Sequence, residues 1–188
     1  MIFSQEALMP IDESRAAQAI KALLESFEAD PESLELRATP GRVAAFWQER
    51  LAGYDIDLEA ELKALPGDLV PCPVILERIP FVSTCEHHLA PFEGTVTLGY
   101  VPSEGGTVGL SKLVRVVQAY AWRLQVQERM TRQIAEALEQ YLSPTAWGVK
   151  VVAEHTCMSH RGVKTSEVPV TTVILGGDWT RNPPALFR

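Results

Sequence analysis

A chain of 188 residues, 46% hydrophobic and 22% charged, has the length and balance of one soluble globular domain with a real core. Its net charge of −7 argues against nucleic acid as a partner, no apolar run reaches membrane-spanning length, and the first thirteen residues lack the basic start and apolar stretch of a secretory signal. Three cysteines, an odd number, set aside a disulfide framework and point to a reducing cytoplasm.

In chain order, Ala16, Ile20, Leu23, Leu24 and Phe27 recur at helical spacing and predict a helix over Asp12–Ala29. A second helix is predicted over Thr39–Leu51, with Thr39 as N-cap, Pro40 at its first position, and Val43, Phe46 and Trp47 facing inward. A short third helix is expected over Asp55–Ala64, followed by a turn at Pro66-Gly67-Asp68. Residues 1–70 thus form an N-terminal helical region, and 71–188 an α+β catalytic core within one functional domain. Cys72, between two prolines, reads as an ordinary half-buried thiol.

Strand character begins at Val74 and runs to Val82, with Ile75, Ile79 and Phe81 in alternation. A second strand is expected over Gly94–Val101, with Val96, Leu98 and Tyr100 on one face, and Ser103–Gly106 as a hairpin-like loop. Helices follow over Leu110–Ala121 and Arg123–Leu142, the latter stopped by Pro144. A strand over Trp147–Cys157 and a last one over Pro169–Leu175 complete the order. The pattern predicts an α+β fold, an antiparallel sheet with helices on one face.

Chemistry concentrates in two stretches. Ser83–Phe92, STCEHHLAPF, and His155-Thr156-Cys157 with the residues just after it hold all four histidines and two of the three cysteines. Cys85 and His88 have the short spacing from which one turn offers both side chains to a single ion, and thiolate and imidazole are ligands that zinc prefers. On a strand, His155 and Cys157 point to the same side. Cys85, one of His87 and His88, and Cys157 therefore make three ligands, and three with an open fourth position describe a catalytic zinc. The other CEHH histidine or His155 is left to close the site or to move protons beside it. His160 reads as a surface or packing residue.

Between Gly106 and Ala135 lie five basic residues (Lys112, Arg115, Arg123, Arg129, Arg132) and one acid, Glu128, an island suited to a small anionic ligand. Gly109 and Ser111 at a helix start offer free N–H groups and a hydroxyl, and Lys112 and Arg115 share a helix side, a phosphate-site pattern without a Walker loop. Arg161 brings a further cation near Cys157. The carboxylate of Glu128, next to Gln127, has the geometry to accept two hydrogen bonds from a guanine edge; taken alone it reads as an exposed acid or a partner of Arg132 at i+4.

CEHHLAPF, GLSKLVRVVQ, RLQVQERMTRQIA and HTCMSHRGV together closely resemble the GTP cyclohydrolase I family, in order from about Ala38 to Gly177. The resemblance implies the tunnelling fold, a toroid of ten subunits with sites where subunits meet, and conversion of GTP to 7,8-dihydroneopterin triphosphate and formate, the opening step of tetrahydrofolate and pterin synthesis. It implies that Cys85, His88 and Cys157 bind Zn2+, that His87 lies beside metal and substrate ring, and that His155 is the acid/base toward the purine imidazole. Ser111, Lys112, Arg115 and Arg161 would hold the triphosphate, and Gln127 and Glu128 would sit at the guanine. The implied reaction is addition of water at C8, ring opening, loss of formate, then rearrangement and closure to the pterin.

Two departures stand out. Where the family often carries a lysine three residues after the arginine of TPxRVA, this chain has Ala45, with Arg42 kept, and the tail DWTRNPPALFR is unlike the usual ending. Competing readings are a same-fold enzyme acting on another purine or pterin, and a non-catalytic zinc-containing purine nucleotide sensor with four protein ligands. The nitrile-reducing relative of queuosine synthesis has no need of CEHH together with HTC, and the H-x-E with P-C-x-x-C of nucleobase deaminases is absent.

Overall fold

The computed structural model describes residues 11–63, 72–103 and 107–188. The expected turn at Pro66-Gly67-Asp68, the last residue of the third predicted helix and most of the Ser103–Gly106 loop lie outside the described residues.

The front of the chain is helical. In α1 (Glu13–Glu25), the Asp12 side chain accepts the Arg15 N–H at 3.0 Å. The helix α2 (Thr39–Arg50) starts one residue earlier than its threonine suggests. Ala38 occupies the cap position and Thr39 is already helical, because its N–H is held by the Leu36 carbonyl at 2.8 Å in the preceding turn. Phe46 does not face inward as expected; it is half exposed and edges Trp47, while Ala44 is the buried residue of the helix. The third predicted helix resolves into a 3-10 turn, Ala52–Asp55, and the single-turn α3 (Leu58–Glu61), whose first N–H groups are capped by Asp57. Leu58 and Leu62 reach the main core.

Five strands make the sheet among the described residues: β1 (Val74–Cys85), β2 (Pro91–Val101), β3 (Leu124–Gln125), β4 (Ala146–His155) and β5 (Val170–Gly177), in the order β3-β1-β2-β4-β5. All pairings are antiparallel except β1 with β3. One correction concerns β1. Val74 and Leu76 pack on the core, whereas Ile75 joins the cluster on the opposite face, since side chains alternate. A bulge between Leu76 and Ile79, with Arg78 at φ 56°, inserts one residue and so turns Ile79 and Phe81 inward.

The helices α4 (Leu110–Ala121) and α5 (Gln127–Leu142) cover one face, burying Leu113, Val117, Met130, Ile134 and Leu138 against Val96, Leu98, Val149 and Val151. On the other face, Trp179 and Phe187 of the tail pack with Ala146, Ile75, Val101 and Leu175, which gives the unfamiliar C-terminal segment a packing role. Cys72 is exposed rather than half-buried.

The helix expected from Arg123 starts only at Gln127. Arg123 is 5% exposed and donates to the carbonyls of Gly53 and Ala119, with its guanidinium over the rings of Tyr54 and Tyr120. Anchored there, the chain runs extended through β3 before the helix begins. The strand expected to reach Cys157 ends at His155 and continues as a single turn, α6 (Thr156–Ser159).

Candidate metal centre and its surroundings

Cys85 ends β1, and the chain reverses at once through Leu89, which sits at φ 51°. The Leu89 N–H bonds the Cys85 carbonyl at 2.8 Å, and the Cys85 N–H bonds the Ala90 carbonyl at 2.8 Å, so this tight turn folds His88 back over Cys85. The short β3 fixes the turn from the side: Cys85 pairs with Gln125, and the Glu86 N–H donates to the Gln125 carbonyl at 3.0 Å. Cys157 arrives from α6, whose Thr156 hydroxyl donates to the Pro91 carbonyl at 2.6 Å.

The result is one cluster. Ligand atoms of Cys85, His88 and Cys157 all lie within 4.8 Å of one another, with Cys85 Sγ 3.7 Å from His88 Nδ1. Around a tetrahedral ion, with sulfur at about 2.3 Å and nitrogen at about 2.0 Å, ligand atoms stand about 3.5–4 Å apart. The trio therefore matches the size a metal ion needs, and these three residues could hold one. Burial pushes the Cys157 thiol up, the neighbouring Cys85 adds to this, and Arg161 opposes it. Two thiols crowded together resist losing protons until a cation joins them.

Of the two CEHH histidines, His88 and not His87 is in the cluster. The His87 side chain is 64% exposed, with Nε2 3.8 Å from a Glu86 oxygen. His155 is also outside the trio, which corrects the idea that one strand face delivers it together with Cys157. Its ring stacks on Phe92, its direct partner across β2 and β4, at 4.7 Å and 4°. Its Nε2 lies 2.8 Å from Gln127 Oε1. The Gln127 amide nitrogen already donates toward the carbonyls of Val151 and Val170 and the hydroxyl of Thr172, so its oxygen must accept. The proton of neutral His155 therefore sits on Nε2 and Nδ1 keeps the lone pair. Burial holds this imidazole below its ordinary value, with the Glu128 charge opposing. His160 bonds the hydroxyl of Ser159 at 2.8 Å.

The remaining sequence candidates fall into two groups. Gln127 and Glu128 begin α5 beside His155, Gln127 at 1% exposure and Glu128 exposed. Ser111, Lys112 and Arg115 lie at the start of α4, where Gly109 caps the helix without a side chain. The basic island is not one ligand surface: Arg123 is buried on carbonyls, Arg129 grips Glu86, and Arg132 pairs with Glu136. Lys112 and Arg115 both meet Glu61.

Sequence reading missed the Glu86–Arg129 pair. Its two bonds, 2.6 and 2.7 Å, tie the turn that follows Cys85 to α5. Glu86 stands inside CEHH, yet nothing in local spacing pairs it with a residue 43 positions on.

The GTP cyclohydrolase I family model matches residues 16–186 of the chain. The chain is 44% identical over 169 residues to GTP cyclohydrolase 1 of Mycolicibacterium vanbaalenii, covering 89% of this chain and 84% of that protein. It is 41% identical to the Streptococcus mutans protein of the same name, covering 88% and 86%, and 39% identical to that of Pelotomaculum thermopropionicum, covering 91% of each. A solved apo structure of the archaeosine synthase QueF-Like is similar over 57% of this chain and 96% of that one, at 21% identity and a TM-score of 0.46.

Proposed function

The chain belongs to the GTP cyclohydrolase I family, and from that premise we infer an enzyme that converts GTP to 7,8-dihydroneopterin triphosphate and formate. The observation that carries the reading is the meeting of Cys85, His88 and Cys157, from two distant stretches, with ligand atoms within 4.8 Å of one another.

The metal of this site is zinc, for which two thiolates and an imidazole are a fitting donor set. When bound, it supplies Lewis-acid activation of water at neutral pH. The chain's own residues do the rest. His155, with its proton fixed on Nε2 by Gln127, presents Nδ1 as the atom that exchanges a proton with the purine imidazole ring. His87, with a side chain 64% exposed next to the ligand His88, lies beside the metal and the substrate ring. Glu128 takes the guanine edge, and Gln127 acts beside it through His155. Ser111, Lys112 and Arg115 at the start of α4, with Arg161 after α6, hold the triphosphate; free N–H groups at a helix start favour anions. Ala45 leaves one triphosphate cation of the family pattern without its counterpart, while Arg42 is kept and exposed on α2.

The chains assemble into a ring of ten, with sites completed between neighbours, and work in the cytoplasm; no described helix is long and apolar enough to cross a membrane. Residues 71–188 carry the chemistry and 1–70 the helical region ahead of it.

The test is an assay with GTP on the protein as isolated, after chelation and after zinc is restored, following formate and oxidised-pterin fluorescence together. Both products should appear, vanish on chelation and return with zinc. GTP binding without either product would overturn the catalytic reading in favour of a nucleotide sensor.

A further inference from the structure

Glu61 closes α3, and its carboxylate lies against the two cations at the start of α4. Oε2 is 3.2 Å from Lys112 Nζ, and Arg115 Nη1 is 3.1 Å from Oε1 and 3.3 Å from Oε2. The contact is built in. Leu58 and Leu62, on either side of Glu61, are 5% and 0% exposed in the core, and the Asp57 side chain caps the turn. The cations themselves stay open, with side chains 37% and 55% exposed. Burial raises the Glu61 carboxyl, but hydrogen bonds from Lys112 and Arg115 outweigh it and hold the group below its ordinary value, so it is an anion at neutral pH.

We propose that Glu61 is a resident counter-anion of the triphosphate seat, displaced when the nucleotide binds. The proposal rests on reading Lys112 and Arg115 as triphosphate ligands. Two cations on one helix side, half neutralised by a resident carboxylate, present less attraction to weak anions. A triphosphate carries several charges on adjacent groups and outcompetes one carboxylate; a lone phosphate or carboxylate does so far less well. Glu61 thereby sets how tightly the seat holds its polyanion, weakening it by a constant factor. It touches neither metal nor guanine positions, so its effect falls on binding rather than turnover.

The experiment compares the zinc-loaded full-length parent with Glu61→Gln, which keeps the shape and removes the charge. Calorimetric titration with inorganic tripolyphosphate reads the seat without catalysis, and GTP kinetics read KM and kcat separately. The expected result is tripolyphosphate affinity and KM for GTP tighter by about three- to tenfold, with kcat moving much less. Affinity unchanged or weaker in Glu61→Gln would overturn the proposal, the latter because it would make Glu61 a support for the two cations. Lys112→Met separates the two failures. Loss of tripolyphosphate binding there, with no gain in Glu61→Gln, overturns the counter-anion alone; no loss in Lys112→Met overturns the seat and the proposal with it.

Discussion

His155 is positioned by two contacts of different kinds. The stack on Phe92 fixes the plane of its ring, and the hydrogen bond to Gln127 fixes which nitrogen carries the proton. Gln127 can do this because its own nitrogen is committed to the sheet, to Val151, Val170 and Thr172, with the Thr131 hydroxyl 2.6 Å from that of Thr172 behind it. Gln127→Leu keeps the bulk and removes both functions. We expect kcat to fall about ten- to hundredfold, the size typical of lost outer-shell orientation, with a smaller change in KM for GTP. Steady-state kinetics check this, and a variant that moved KM far more than kcat would make Gln127 a guanine contact instead.

At the scale of elements, the ligand turn is held by three neighbours: β3 by backbone pairing, α6 through Thr156, and α5 through the Glu86–Arg129 fork. The fork is half exposed, so its coupling should be modest, about 0.5–1 kcal/mol in a double-mutant cycle of Glu86→Gln and Arg129→Met. Its pH dependence has a defined sign. The hydrogen bond from Arg129 holds the Glu86 carboxyl below its ordinary value of 4.5, with burial opposing. A carboxyl depressed in the folded state contributes stability above its unfolded value and loses it as the pH falls through the folded one. Chemical unfolding of parent and Glu86→Gln should therefore differ at pH 7 and converge in acid below 4.5. A gap that widened in acid would mean the fork is not the stabilising contact.

For the whole molecule, the front of the chain leaves Phe27, Leu34 and Phe46 at 68%, 73% and 52% exposure, and β5 is an outer strand of the sheet among the described residues. An unpaired sheet edge is a template for pairing with another chain, and exposed apolar side chains suit an interface, features that the proposed ring would use. Light scattering should give about ten times the 20.8 kDa chain mass. Turnover by a species of single-chain mass would overturn the reading that sites are shared between subunits.

Much of this was legible in the residues themselves. Clustering pointed to Cys85, one of His87 and His88, and Cys157 as a group that could hold a metal, because ligand chemistry depends on side-chain type; only the resemblance chose His88, and the fold brings that histidine to the two cysteines. Alternation put Val149, Val151 and Ala153 on the core face, and helical spacing found α4, because both depend only on near neighbours in the chain. What local pattern could not carry was decided by distant contacts. The buried seat of Arg123 on Gly53 turned the start of a predicted helix into β3, and a single inserted residue at Arg78 reversed the faces of β1. Cys157 left its strand to reach Cys85 from α6, and Glu61, 51 residues before Lys112 in sequence, came to rest on it. Side-chain identity and short-range periodicity are written along the chain, whereas which buried groups find one another is settled only when the sheet closes and most polar atoms inside must find a partner.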